Sequence, residues 1–226
     1  MRKALLACGI LSSLLYVGMN VFVPMYWPAY SSASQTVSEL SAIDAPTRPL
    51  WVPLGIVYTS LVAAFGLGVR ASAGQNRRVR IVGDLLVVYG VIGLAWPPMH
   101  LREVLAAGGG TLTDTMHITW AMITVLLMFL AIAFGAAAFG RRFRVYSFVT
   151  VAILVACGSL TTLDAPRISA NLPTPWIGVW ERINIGVFLL WVMVLAVTLL
   201  RVGVSHARRS LITHDDLDRL ETRRTC

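Results

Sequence analysis

Apolar and polar positions alternate along the chain in long blocks rather than at the short periods of a soluble fold. Six apolar runs stand out: roughly Ala4–Val23, Leu50–Val69, Ile81–Trp96, Met116–Phe139, Val145–Leu163 and Ile177–Leu200. Each is near the ~20 residues that an α-helix needs to cross a hydrocarbon core. The pattern predicts an all-α, polytopic bundle of six transmembrane helices over residues 1–203, with a short charged tail over 204–226. The first run is longer than the ~7–15 residues of a signal-peptide core and no clear cleavage site follows it. A retained first helix is expected.

Short polar connections separate the runs, and their charges orient the chain. Arg2, Lys3, Arg70, Arg77, Arg78, Arg80, Arg141, Arg142, Arg144 and six arginines after residue 200 fall on one side of a six-span chain. That is 15 of the 19 basic residues. Cytoplasmic loops carry such an excess, so both termini are expected in the cytoplasm of a bacterial plasma membrane. Arg48, Arg102, Arg167 and Arg182 go to the other side. Asp84 follows Arg80 by one turn, as an i,i+4 ion pair would. In the tail, Thr213 and Asp216 have the spacing of a helix cap.

Composition agrees. Of 226 residues 57% are hydrophobic and 13% charged, against roughly 25% charged in soluble domains. The net charge of +8 belongs to membrane flanks and not to a nucleic-acid surface. Three scattered cysteines offer no disulfide framework or metal spacing. No internal repeat or interrupted helix of the transporter kind is evident.

Candidate chemistry collects at the outer ends of the helices. The longest external loop, 24–49, holds Val37, Leu40 and Ile43 at three-residue spacing, which predicts a short helix lying at the interface or folded back over the bundle, either as a plain interfacial lid or with Ser38 or Glu39 over a cavity. Two prolines after Trp96 end the third helix, and His100, Arg102 and Glu103 follow at the membrane surface. Gly108–Gly110 supplies a hinge. Thr111 and Asp114 have capping-box spacing, and His117 shares a face with Asp114. That pair is either a cap beside a headgroup-layer histidine or a charged, oriented imidazole able to act as a base. With His100 and Glu103 nearby a metal is conceivable, but no zinc spacing is present; metal and cofactor stay open.

The last helix opens with Glu181, Arg182 and Asn184 within the apolar run. Ionisable groups at such depth cost up to ~3 kcal/mol near the bilayer centre and therefore face partners or wet cavities. Expected partners are Asp114 or Glu103 for Arg182, and His117 or His100 for Glu181. Asp164 and Arg167 suggest a surface turn.

Val37-Ser38-Glu39-Leu40-Ser41-Ala42, Trp96-Pro97-Pro98-Met99, His117 and Gly178-Val179-Trp180-Glu181-Arg182 together resemble, in order and spacing, the bacterial membrane family catalogued as domain of unknown function 998. The likeness spans about residues 4–203. Members often carry Asp where His100 stands and Gln where Glu181 stands. The resemblance implies six helices and an external polar cluster, and no reaction.

The reading that follows is a polar pocket at the outer leaflet that binds or modifies a lipid or isoprenoid-like amphiphile. Asp114, His117 and Glu181 are the acid–base candidates, with Glu39, His100, Glu103, Arg182 and Asn184 lining the site and Arg182 meeting an anionic headgroup. The alternatives are a non-catalytic scaffold with a membrane-protein partner or a second copy, a small-molecule or proton-coupled transporter, and a membrane terpene-cyclase-like enzyme that would pair Glu181 with Asp114.

Overall fold

The computed structural model describes residues 1–170 and 172–201 in full and the backbone of 202–224. Among these residues the fold is entirely helical. Six long helices are α1 (Arg2–Phe22), α2 (Arg48–Ala71), α3 (Arg77–Leu94), α5 (Leu112–Ala138), α6 (Arg141–Ser169) and α7 (Ile177–Arg224). A short helix, α4 (Arg102–Ala106), interrupts the connection between α3 and α5, where the sequence suggested only loop. The capping pair proposed for the tail, Thr213 and Asp216, lies outside the described side chains.

Five segments are long and apolar enough to cross a membrane: Arg2–Tyr26, Arg48–Ala71, Leu112–Ala138, Arg141–Ser169 and Ile177–Arg201. The chain is thus a helical bundle of the multi-pass membrane type. The 18-residue α3, expected as the third span, is not among the five; it carries Arg77, Arg78, Arg80 and Asp84 in its first half.

The helices close into a ring. α1 packs on α2, α2 on α3, α3 on α5, α5 on α6, α6 on α7, and α7 returns to α1. The α2–α3 seam is the tightest, because a side chain at Gly66, Gly83 or Gly90 would press within 2.6 Å of the facing backbone nitrogens of Val87, Arg70 or Ala63. Small residues let membrane helices approach this closely where no aqueous hydrophobic effect drives them together. One half of the ring is filled solid by Phe65, Leu86, Ile132, Phe188, Trp191 and Leu195, all essentially without exposure. The Trp191 indole N–H is satisfied inside this core by Ser147 Oγ at 3.0 Å.

The basic connections gather at that filled end. Leu5 at the start of α1 lies against Gly68 near the end of α2. Arg78 donates to Ala137 O at 2.6 Å and Arg144 to Ala136 O at 3.3 Å. The two arginines therefore satisfy carbonyls in the last turn of α5 that have no partner within the helix. Asp84 pairs with Arg70 across the α2–α3 turn at 2.6 Å, not with Arg80, which bends back to Gly74 O. The turn at Gly74, with φ +50°, brings the end of α2 closer to Asp84 than its own helix neighbour. Asp164 and Arg167 also differ from expectation. They sit within α6, which continues through Pro166 to Ser169, and their charged atoms are 4.0 Å apart. In the last turn Pro166 forfeits one backbone donor without ending the helix.

Candidate functional site

The opposite end of the ring is roofed by the loop between α1 and α2. Its core is a 3-10 helix, Val37–Ser41, at the place where a short helix was expected. Thr36 caps it: the Glu39 carboxylate accepts from the Thr36 backbone N–H at 2.9 Å. Val37 and Leu40 point inward and are 2% and 0% exposed. Ile43 N–H bonds to Met99 O at 2.7 Å, which straps the roof to the segment after α3.

Glu39 is fully buried, and its carboxylate is committed to the chain. Arg102 grips it with two parallel bonds, Nε to Oε2 at 2.8 Å and Nη2 to Oε1 at 2.7 Å. The Gln35 amide adds a third at 2.9 Å. Bidentate arginine–carboxylate pairs are the strong form of this contact, and the bond to Glu39 raises the Arg102 pKa above its ordinary value. Arg102 also reaches Ser34 O and Thr174 Oγ1. One half-buried guanidinium thus joins the three connections at this end of the bundle. Arg102, expected at the membrane surface, is the centre of that knot; Glu103 beside it is exposed and has no side-chain hydrogen bond among the described residues.

The histidines and carboxylates pair differently from the expectation. Asp114 forms the foreseen capping box with Thr111, but its imidazole partner is His100, at 2.9 Å, and not His117. His100 also donates its backbone N–H to the same carboxylate at 2.7 Å. His117 is 5% exposed. Its Nε2 lies 3.0 Å from Ser38 Oγ, while Nδ1 faces Pro97 O at 2.8 Å and Trp96 Nε1 at 3.1 Å. A neutral ring has one donor nitrogen and one acceptor. If Nδ1 donates to Pro97, Nε2 accepts from Ser38; if Nδ1 accepts from Trp96, the roles at Ser38 reverse. In both states the imidazole is held by the chain, and the Ser38 hydroxyl is what it presents to the interior.

Neither acidic partner proposed for Arg182 is used. Its Nη1 donates to Ser32 O at 2.7 Å, Gln35 O at 3.2 Å and Gly178 O at 3.1 Å, and Nη2 donates to Tyr30 Oη at 2.6 Å. The Tyr30 hydroxyl donates in turn to Thr36 O at 2.8 Å, and burial pushes its pKa up to about 12, so it stays neutral. The roof comes this near because α7 starts without a side chain at Gly178. That residue donates to Ala33 O at 2.9 Å, and a Cβ there would collide with the carbonyls of Ser32 and Gln35. Arg182 is therefore a clamp on loop carbonyls, with its Nε buried and unpartnered, and it does not border the cavity under the roof.

Beneath the roof lies a cavity of about 820 Å³. Val37, Ser38 and Ser41 of the roof border it, with Arg48, Trp51 and Thr59 from α2 and Tyr89 and Gly93 from α3. Thr124 and Met128 of α5, Leu154, Gly158 and Thr161 of α6, and Glu181 and Asn184 of α7 complete the wall. Its deep end is closed by the Tyr58 and Tyr89 hydroxyls, 3.2 Å apart. The cavity opens sideways. Met122 on α5 and Val155 and Leu163 on α6 line it, yet they are 62%, 52% and 73% exposed. Ile56 on α2 and Leu94 on α3 also line it and are 48% and 49% exposed.

Of the eight residues singled out from sequence, two border this cavity: Glu181 and Asn184. Glu181 Oε2 accepts the Val37 N–H at 2.6 Å, not a histidine proton. Asn184 Oδ1 is buried without a hydrogen-bond partner. Arg48 was passed over. Its Nη1 donates to Ser41 O, it lines the cavity, and no carboxylate lies within ion-pair distance of it among the described residues. Its rarity was the available signal, since it is one of only four basic residues assigned to the outer side. Two histidines and two carboxylates do not converge, and among the described residues no group of three or more possible ligands is placed to hold a metal.

The family model described as protein of unknown function (DUF998) matches residues 10–198, from within α1 to within α7, which takes in the roof and the cavity wall. The chain belongs to the DUF998 family. No curated protein and no solved structure matches it. The DUF998 match ends before the tail, so the features that the family model recognises lie in the bundle and its outer loops.

Proposed function

We propose that this DUF998 chain is a six-span protein of a bacterial plasma membrane, with both termini in the cytoplasm, and that it binds an amphiphile which enters its cavity sideways from the outer leaflet. The orientation is supported by the basic side chains clustered at the filled end, since arginine-rich flanks stay inside. The binding reading rests on one observation: a laterally open apolar cavity carries a polar end where Asn184 Oδ1 is buried and unpaired beside Glu181. Buried polar atoms are seldom left without a partner, and a hydroxyl or ammonium donor on a ligand would supply one. Pockets of roughly 300–1,000 Å³ with apolar walls and a few convergent polar groups are the usual form of small-ligand sites.

Binding accounts for the arrangement better than chemistry or transport. Asp114, the second acid of the cyclase reading, is occupied by Thr111 and His100 and does not border the cavity. The largely apolar layer around Trp191 and Phe188 stands between the cavity and the basic end, which favours binding over transport. Filling the cavity tests the proposal. Gly158 has room for a larger side chain, its nearest contact being Asn184 Nδ2 at 3.7 Å from a Cβ. Mass spectrometry of detergent-purified protein should find an amphiphile near one per chain, sharply reduced in Gly158→Leu. Equal lipid content in the two proteins, or a stable protein partner with no lipid, would favour the scaffold instead.

A further inference from the structure

The two ends of the roof helix carry opposite charges toward the cavity. Glu181 accepts from the Val37 N–H at its start, and Arg48 donates to the Ser41 carbonyl at its end. At ~2 Å rise per residue, a five-residue 3-10 helix sets those two backbone atoms about 8 Å apart. The acid and the base are therefore separated along the roof and are not paired with each other. Each holds only one bond to the roof, so a second carboxylate oxygen and further guanidinium donors remain for a ligand. Asn184 Oδ1, buried and unpartnered, is one turn from Glu181 on the same helix and needs a donor. Of the other cations at this end, Arg102 is paired with Glu39, Arg167 lies beside Asp164 and Arg182 binds roof carbonyls, and none of them borders the cavity.

We infer that the headgroup held under the roof is zwitterionic: an ammonium against Glu181 and Asn184 Oδ1, and a phosphate against Arg48. This rests on the amphiphile-binding reading and narrows it. A simple anion would satisfy Arg48 and leave the acid and Asn184 unmatched. A simple amine would do the reverse. A neutral diol would fill the donors without using either charge. The apolar tail leaves between α5 and α6, past Met122 and Leu163.

Four amphiphiles of one chain length separate these cases: lysophosphatidylethanolamine, a fatty acid, a long-chain amine and a monoacylglycerol. Native mass spectrometry of the full chain in maltoside micelles, titrated with each, gives the four dissociation constants. Charge-assisted bonds of ~1.5–3 kcal/mol predict that the zwitterion binds roughly tenfold or more tightly than any of the others. In Arg48→Gln the zwitterion should fall to the level of the amine, and in Glu181→Gln to the level of the fatty acid. Arg48→Lys should keep the preference, which separates lost recognition from lost folding. If the four bind alike, or if both charge-removing variants retain the preference, the headgroup assignment is wrong while the cavity reading stands. A preference for the fatty acid or the amine also overturns it. If none of the four binds at one per chain, the amphiphile reading itself fails.

Discussion

Arg102→Gln removes the fork from a carboxylate that has no exposure at all. The variant loses both parallel bonds to Glu39 as well as the contacts to Ser34 O and Thr174 Oγ1. Removing one partner of a buried ion pair costs ~3–5 kcal/mol, mostly because the remaining charge stays buried and uncompensated. Glu39 keeps Gln35 and Thr36, and the Arg102 side chain is 22% exposed, so the lower end, about 3 kcal/mol, is expected. Glu39→Gln leaves a partly exposed arginine in place of a fully buried acid and should cost less, about 2 kcal/mol. The double variant Glu39→Gln, Arg102→Gln has no buried charge left, and it should recover about 2 kcal/mol of the summed losses. Equilibrium unfolding in mixed micelles, followed by circular dichroism, measures all three. Additive losses, or a single-variant cost under about 1 kcal/mol, would mean that the pair is an ordinary surface contact and not the knot that ties the outer loops together.

Gly178→Ala forces a methyl group against the carbonyls of Ser32 and Gln35; overpacking of this kind costs ~1–3 kcal/mol, and it should loosen the roof selectively. Faster hydrogen exchange at the Val37 and Gly178 amides, with the Trp191 region unchanged, is the expected sign, and unchanged exchange at both amides refutes it. For orientation, in a cysteine-free background Asp44→Cys should react with an impermeant maleimide on intact cells, and Arg141→Cys only after permeabilisation. Reaction of both from outside would break the six-span topology.

The helices were legible because each is written as one apolar block bounded by arginine, proline or a capping residue, as at Thr111 and Asp114. The roof helix was visible for the same reason, in the spacing of Val37 and Leu40. The pairings inside the site were not. A sequence displays acids and bases but hides backbone carbonyls, and Arg182 chose Ser32 O and Gln35 O over any carboxylate. Nor does it display the rotation of one helix against the next, which decided that Asp114 meets His100 and that Arg70 meets Asp84. Arg102 was read as surface because its neighbours are polar; only the fold reveals that Glu39 is buried beneath it. The cavity is walled by residues from six helices and the roof, a convergence that no local pattern records.

The clamp at the start of α7 recognises main-chain oxygens, which every residue type possesses. The letters between Tyr30 and Gln35 are thereby released from any demand the clamp makes, whereas their number is fixed by the distance from Tyr30 to the capped turn at Thr36. Across the DUF998 family this stretch should tolerate rewriting far more readily than a single insertion or deletion, provided that Gly178 and Arg182 remain.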